Sequence, residues 1–389
     1  MLIAGETSGD LLAAELVKAL GRSWTEYATR GDGDDLKFFG AGGSNMAAAG
    51  VELAFDLTQH SVIGLWEVIK KYGKFRKLFN QLLALAIERR PDVIIGVDFG
   101  GFNLRFARAI RQHLRNNKPD WRPKLVQLVS PQVWASRPGR AKIIADNHDL
   151  VLSILPFEKK WYAEHVPGLR VEFVGHPIID RHKQTVGREA KERVDASALN
   201  VLILPGSRQS ELRRHLPVVI GAGERIKSAL PEARFRMVLP EENLRAQAMK
   251  TVQMPEWIEV QFGNLAEALE DATVAIASTG TVTMECALFG VPTVALYKTS
   301  WSTYQIGRRL VTVPFLAMPN ILAGAMIFPE FIQNEATSDN VSEAALQLLN
   351  HPEHRSTVRS KLAGIISNLG PPGAVDRAAA KVLELLPRQ

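Results

Sequence analysis

The sequence predicts an α/β protein built from two doubly wound domains, each a parallel sheet covered by helices on both faces. Three observations carry that expectation. Short apolar runs rich in Val, Ile and Leu alternate with helical patterns, as strands buried on both faces require. The alternation begins afresh after residue 200. The chain has 389 residues, more than one ordinary core organises.

The elements follow in order. "LIAGETSGD" (2–10) reads as the last residues of a strand, a glycine-rich turn and a helix start. That strand is short for a buried one, so either it is truly short or some residues precede it. "FGAGGSNM" (39–46) repeats the strand-turn-helix grammar. "DVIIGVD" (92–98), "KLVQLVS" (124–130) and "DLVLSIL" (149–155) are strands, with "NLRFARAIRQHLR" (103–115) a helix between the first two. In "FVGHPIIDRHKQTVGREA" (173–190) a strand ends at Gly175, Pro177 breaks the chain, and a polar stretch marks the domain boundary. "NVLILPGS", "RFRMVLP", "TVAIAST" and "PTVALY" then supply the strands of the second block, with the helix "TVTMECALFG" between the last two. The first domain is expected over 1–178 and the second over 179–370. The last segment, 371–389, opens as a Pro-started amphipathic helix and is expected to fold back onto the first domain.

Composition narrows the function. Hydrophobic residues at 46% and charged residues at 23% are those of a globular protein. Cys286 is the single cysteine, so no internal disulfide forms and a reducing compartment is expected. A net charge of +6 suits an anionic partner: phosphate, nucleotide, acidic lipid or nucleic acid. No recognisable module of stacking aromatics and cations points to nucleic acid. "MLIAGETSGD" is not a secretory leader. The uncharged run 311–329 is interrupted by Pro314, Pro319 and Asn320, and reads as buried loop and short helix rather than a membrane span.

Several residues suit chemistry. Neither glycine-rich turn matches a P-loop, and "GAGGSN" lacks the third glycine of a dinucleotide fingerprint. Both still let a ligand approach the backbone, although a tight turn alone explains them too. Asp98 ends a buried strand, where a carboxylate faces the ligand side of a doubly wound sheet and suits a general base. A helix cap is the plainer reading. "SPQVWASRPGRAK" (130–142) sets Arg137, Arg140 and Lys142 beside Trp134, as a phosphate loop with an aromatic wall or a solvated basic loop. His176 sits at the domain junction, a common structural place for histidine. In "ILPGSRQSE" (203–211) a buried strand turns through Gly206 and Ser207 and sets Arg208 at a helix start, a place suited to an anion. Ser278, Gly280 and Thr281 form a hydroxyl-rich turn, with Glu285 one helical turn further on. No His/Cys/Asp cluster has metal-ligand spacing. "VIGLWEVIKKYGKFRKLFNQLL" (62–83) spaces Leu65, Trp66, Ile69, Tyr72, Phe79 and Leu82 as on a helix, around Lys70, Lys71, Lys74, Arg76 and Lys77. It reads as an interfacial membrane helix or as a core helix with a basic outer face.

These motifs together resemble the lipid-A-disaccharide synthase family, inverting glycosyltransferases of GT-B architecture, in which two Rossmann-like domains face a central cleft. The resemblance rests on "AGETSGD", "FGAGGSNM", "PDVIIGVD", "SPQVWASRPGRAK", "LPFEKKWY", "FVGHPIID", "LPGSRQSE", "STGTVTMECAL", "MPNILAG" and "FPEFIQ", in family order to about residue 335. Two departures touch the first domain. "DFGGFN" (98–103) keeps Asp98 and Asn103 of the family's D-x-P-D-F-N but has Gly101 for the second acid, and Ser136 stands where a second Trp is usual.

The resemblance implies transfer of 2,3-diacylglucosamine from UDP to 2,3-diacylglucosamine 1-phosphate, giving a β-1,6-linked disaccharide and UDP in lipid A biosynthesis. It implies Asp98 as the catalytic base and Gly5, Ser8, Asn103, Trp134, Arg137, Arg140 and His176 around the acceptor in the first domain. For UDP in the second it implies Gly206, Ser207, Arg208, Ser278, Gly280, Thr281, Glu285, Asn320 and Gln333. No metal and no cofactor are expected. The partners expected are the two lipid sugars and an anionic membrane surface met through 62–83, with no nucleic acid; homodimerisation is left open. The location expected is cytoplasmic, peripheral on the inner membrane. Competing readings are another GT-B enzyme using a UDP-sugar, with a different lipid acceptor or as a UDP-N-acetylglucosamine epimerase, and a catalytically silent nucleotide-sugar binder.

Overall fold

Along each apolar run, successive residues face opposite sides of a sheet, and both sides are covered. A computed structural model describes residues 1–28, 35–58, 65–182 and 199–386, with the backbone alone at 25–28, 65–72 and 74. The chain divides into two units, Met1–Arg181 with Leu369–Gln389, and His182–Asn368. No helix among the described residues is long and apolar enough to cross a membrane.

The first unit runs β1 (Leu2–Ala4), α1 (Thr7–Ala28), β2 (Phe39–Gly42), α2 (Ser44–Ala48), β3 (Glu52–Asp56), α3 (Leu65–Arg89), β4 (Val93–Val97), α4 (Gly100–Asn117) and β5 (Lys124–Leu128). It continues through α5 (Val133–Ser136), α6 (Arg140–Asn147), β6 (Leu150–Ser153), α7 (Glu158–His165), β7 (Val171–Phe173) and α8 (Pro177–Arg181). Its seven strands are ordered β3-β2-β1-β4-β5-β6-β7, all parallel. Strand β4 shows the two-residue period that fixes the layers. Val93, Ile95 and Val97 join the core beneath α1, with Leu12, Leu16 and Leu20. Ile94 joins the opposite core, with Phe102, Phe106 and Ile110 of α4.

The second unit runs β8 (Asn200–Leu204), α9 (Gln209–Ala229), β9 (Arg234–Leu239), α10 (Asn243–Thr251), β10 (Ile258–Phe262), α11 (Leu265–Asp271), β11 (Val274–Ser278) and α12 (Thr281–Leu288). Then come β12 (Thr293–Tyr297), α13 (Trp301–Leu310), α14 (Met318–Ala323), β13 (Glu330–Ile332), α15 (Ser338–Asn350) and α16 (Pro352–Ser367). Six parallel strands are ordered β10-β9-β8-β11-β12-β13. Segment 311–329 contains the short helix α14, but it is less buried than the sequence suggests: Val311, Pro314 and Met326 lie at the surface, while Ala317, Asn320, Ile327 and Phe328 are buried.

The last helix, α17 (Ala374–Leu383), begins two residues after the Pro-Pro pair and belongs to the first unit. Ala378, Ala379, Val382 and Leu383 enter the α1 core. Asp180 caps its start, taking the N–H groups of Gly373 and Ala374. Arg377 donates to the carbonyl oxygens of Val174 at 2.8 Å and Pro371 at 2.7 Å.

The amphipathic segment is in part outside the described residues, since 62–64 and the side chains of 65–72 and 74 are not among them. From Phe79 onward α3 faces the core. Leu82 is fully buried, and the Phe79 ring meets Phe102 and Phe106 edge-on at 5.3 and 5.7 Å. Arg76 and Lys77 are exposed.

Asp180→Ala should leave two helix-start N–H groups without their acceptor, at a cost of about 1–3 kcal/mol. Urea unfolding of the variant beside the parent checks this, with a lowered midpoint expected at an unchanged slope.

Candidate active site

Parallel strands bring all their C-terminal ends to one edge of a sheet, and each hands the chain to a helix there. In the first unit that edge collects the turns after β1, β2, β4, β5, β6 and β7, and so Gly5, Ser8, Asp98, Trp134, Arg137 and His176. Arg140 opens α6, reached from the β5 end by way of α5.

The turn after β1 admits no side chain: a Cβ on Gly5 would lie 2.3 Å from the Phe99 ring. Asp10 joins this turn to the next glycine-rich one. Its carboxylate is buried and accepts from Gly43 N–H at 2.6 Å, Asn45 N–H at 2.9 Å, Asn45 Nδ2 at 2.9 Å and Met46 N–H at 3.2 Å. An acid 33 residues before the glycine it binds carries no such signal; only the fold brings Asp10 to the start of α2.

After β4 the chain makes a corner in which Asp98 and Phe99 both take left-handed backbone, φ 50° and 46°. Asn103, only 3% exposed, turns its amide onto the Asp98 carbonyl oxygen at 2.8 Å. The Asp98 carboxyl is half-buried, and desolvation raises its pKa above the ordinary aspartate value despite a hydrogen bond from the Phe99 N–H. Such a carboxylate is more basic than a solvated one.

The loop after β5 is anchored from below. Trp134 is buried and donates from Nε1 to Glu158 at 3.0 Å; the Phe157 ring meets it edge-on. Glu158 also accepts from Leu155 N–H at 3.2 Å, and burial raises its pKa to about 7. Ser130 Oγ shares a 2.9 Å hydrogen bond with the Tyr162 hydroxyl. Above this anchor, Arg137 is exposed and Arg140 half-exposed. Arg140 is held below the ordinary arginine value by desolvation and then by the charges of Arg137 and Arg105. Arg105, on the first turns of α4, joins this cationic group and has no motif to announce it. His176 is held to about 4 by burial, and its Nδ1 accepts from Ile178 N–H at 3.2 Å, so it is neutral at physiological pH.

In the second unit the same edge collects the ends of β8, β11, β12 and β13. Gly206 has φ 122°, a conformation that favours glycine, and its turn delivers Ser207 and Arg208 to the start of α9. Glu211 of α9 faces back. It accepts from Ser207 N–H at 3.1 Å and from Arg208 Nη1 at 3.2 Å. The loop's donors thus already hold one anionic group, the carboxylate of its own helix.

Ser278 ends β11 and is buried; Gly280, φ 140°, caps α12 with open space on the side where a Cβ would stand. Thr281 is exposed and Glu285 half-buried on the same helix. Three further side chains tie these loops together. His215 is buried, hydrogen-bonds through Nδ1 to the Pro205 carbonyl at 2.7 Å and accepts at Nε2 from Lys298 N–H at 2.9 Å. Lys298 Nζ reaches the carbonyls of Gln333 at 2.7 Å and Ala336 at 3.0 Å. The Gln333 amide pairs with the Thr299 backbone, accepting at 2.6 Å and donating at 3.2 Å. Asn320 is fully buried. It accepts from the N–H groups of Ile327 and Phe328, both at 2.8 Å, and donates to Glu330 at 2.7 Å. Its amide shapes the loop from within. His215 and Lys298 belong to no recognisable pattern, whereas Glu211 is legible as the acid three residues after a helix cap.

Among the described residues no cluster of His, Cys, Asp or Glu is arranged to hold a metal ion.

Comparison with known proteins adds the family. The sequence pattern of the lipid-A-disaccharide synthetase family matches residues 1–370. The lipid-A-disaccharide synthase of Geobacter sulfurreducens is 34% identical over 394 residues, spanning 100% of this chain and 97% of its own. That of Myxococcus xanthus is 35% identical over 396 residues, with coverage of 100% and 97%. Among solved structures, a putative UDP-N-acetylglucosamine 2-epimerase from Listeria monocytogenes superposes with a TM-score of 0.60 at 16% identity, covering 100% of this chain and 97% of its own. CalG4, the calicheamicin glycosyltransferase, gives 0.58 at 15% identity, with coverage of 99% and 96%. At such identities these structures speak for the fold, the two Rossmann-like domains of GT-B proteins. The full-length match speaks for descent: the chain belongs to the lipid-A-disaccharide synthetase family of glycosyltransferases.

Proposed function

We propose that this chain transfers 2,3-diacylglucosamine from UDP to the 6-hydroxyl of 2,3-diacylglucosamine 1-phosphate, with inversion, releasing UDP. The observation that carries the chemical part is Asp98, a desolvated carboxylate at the C-terminal end of a central strand. A sugar hydroxyl is a weak nucleophile, and a carboxylate of raised basicity takes its proton as the glycosidic bond forms. Inversion asks that the base and the departing diphosphate address opposite faces of the donor sugar. The base belongs to the first unit and the diphosphate loop to the second, so each unit supplies one half of the chemistry.

In this reading the first unit binds the acceptor. Gly5 and Ser8 present the backbone of the β1 turn to the sugar, Asn103 and Trp134 shape the wall from behind, and Arg137 and Arg140 meet its phosphate. Neutral His176 borders the same edge. The second unit binds UDP. Gly206, Ser207 and Arg208 take the diphosphate, whose charge competes with Glu211 for the same donors. Loop N–H groups and a guanidinium supply the electrostatic stabilisation of the leaving group. Ser278, Gly280, Thr281 and Glu285 serve the nucleoside, and Asn320 and Gln333 hold the neighbouring loops. The substrates are acylated and phosphorylated, so the protein works at the face of the inner membrane on the cytoplasmic side, docked through the basic first half of 62–83. UDP release measured with both lipid sugars, and its absence with either alone, tests the whole proposal.

Arg208→Ala should weaken donor binding or turnover by roughly 1.5–3 kcal/mol, the loss of a charge-assisted contact. Calorimetry with UDP and steady-state kinetics read it, and parental values in both would defeat the assignment.

Asp98→Asn keeps the shape and removes the base. Turnover should fall roughly 10²–10⁴-fold while UDP affinity holds. In the parent, kcat should rise with pH through the raised Asp98 pKa, because only the deprotonated carboxylate accepts the proton. Single-turnover rates across pH, with UDP titration on the same preparations, check both statements.

Changing Lys70, Lys71 and Lys74 together to Glu should reduce sedimentation with anionic vesicles and leave the circular dichroism spectrum unchanged. Equal binding of the parent to neutral and anionic vesicles would remove the electrostatic part of the docking.

A further inference from the structure

Gln127 lies in the middle of β5, fully buried, with Val126 and Leu128 on either side. A glutamine is an unexpected occupant of a central parallel strand. Its Nε2 reaches three backbone carbonyl oxygens: Asp98 at 3.0 Å, Leu128 at 3.3 Å and Val129 at 3.2 Å. Those carbonyls belong to the two corners where the chain leaves adjacent strands β4 and β5. Both corners are strained. Asp98 and Phe99 are left-handed, and Val129 is a β-branched residue at φ 65°. Non-glycine residues in such conformations are strained and persist only where the surroundings over-determine them.

Here the surroundings are two amides. Asp98 carbonyl oxygen accepts from Asn103 Nδ2 as well as from Gln127, and Asp98 N–H donates to Leu128 at 2.9 Å. The arrangement is not the cheapest one. With both NH2 groups turned to the corner, Asn103 Oδ1 and Gln127 Oε1 are buried and meet no hydrogen-bond partner among the described residues. Both residues line a cavity of about 10 Å³, closed on one side by Gly96, where a Cβ would lie 2.8 Å from Gln127 Oε1. A buried acceptor without a partner is destabilising, a cost that an apolar residue of the same shape would avoid. A strand tolerates that cost where it serves something besides stability.

We propose that Gln127 is a positioning residue: its buried amide locks the paired corners after β4 and β5 and so fixes the direction in which Asp98 presents its carboxylate. The inference rests on the reading of Asp98 as the base. Relaxing φ at Asp98 toward the extended region would rotate its Cα–Cβ bond away from its present direction, and a misplacement of about 1 Å at a reacting group is enough for a loss near 10²-fold.

The test replaces Gln127 by Met, which keeps the shape and removes the amide. The full chain is assayed with both lipid sugars, beside Asp98→Asn. Gln127→Met should fold with a thermal midpoint at or above the parent's. Its kcat should fall by roughly 10–100-fold, with KM for each sugar and UDP affinity near parental, as expected for a displaced catalytic group. The acid limb of its kcat–pH profile should also move, a readout that loss of general packing would not shift. Should Gln127→Met fail to fold, Gln127→Glu serves in its place: protonated in this site, it still donates one hydrogen bond, and an intermediate loss is expected. Parental kcat and pH profile in whichever variant folds, with Asp98→Asn inactive, would overturn the positioning role and leave the base in place. An active Asp98→Asn would overturn the base, and the positioning role with it.

Discussion

The structure depends on one constraint: a parallel sheet buried on both faces has nowhere to put polar chemistry except its edges. Inside the first unit the strands are apolar almost without interruption, and the backbone groups are spent on their neighbours. Every strand must nevertheless end, and parallel strands all end on the same side. Turns, helix starts and the candidate site residues are therefore gathered there in both units. The site residues lie at those ends because no other place in the fold gives them water, a ligand and free N–H groups together.

Gathering is not yet precision. At each edge a small set of buried polar side chains converts separate turns into one surface. Asp10 joins two glycine-rich turns, and Asn103 and Gln127 join the corners after β4 and β5. His215 and Lys298 chain the loops after β8, β12 and β13. Each is a polar group held by two or more hydrogen bonds at a site mostly closed to water, where such bonds are stronger than at a solvated surface. The groups facing outward, Arg137, Arg140 and Thr281, can then stay exposed without the loops beneath them drifting.

The difference between those two tiers explains what could be read from the sequence. The double α/β pattern was legible because strands buried on both faces appear as unbroken apolar runs. Three strands without that signal, β3, β10 and β13, are sheet edges whose residues are mostly half-exposed, so their composition is mixed. Residues at strand ends, such as Asp98 and Arg208, announce themselves through local grammar: an apolar run, a turn, a polar helix start. Gln127 does not, since one amide within "KLVQLVS" reads as a blemish in a strand. Nor do Asp10 and His215, whose side chains meet Gly43 and Lys298, 33 and 83 residues away in sequence. Arg105 gains its meaning only when packing sets α4 beside the loop that carries Arg137. Helix α3 illustrates the same limit in reverse. One continuous aromatic and basic pattern suggests a single role, yet Phe79 and Leu82 are core residues.

The two sheets also solve different electrostatic problems. On the proposed reading a base must be less solvated than an ordinary carboxylate to be basic enough, and burial raises the Asp98 pKa in that direction. A diphosphate site must instead tolerate repeated arrival and departure of negative charge. On the same reading the loop at Arg208 meets that need by carrying its own counter-anion: Glu211 occupies the donors at Ser207 and Arg208. If UDP binds there as proposed, its departure without such a carboxylate would leave the Arg208 guanidinium and the Ser207 N–H without an acceptor. With it, the donors exchange one anion for another, and the net gain on binding is smaller but the loop keeps its shape. A desolvated carboxyl at Asp98 and an internal counter-ion at Arg208 are opposite environments. Two separately folded sheets can hold both, because the desolvation that sharpens Asp98 does not have to extend to Arg208.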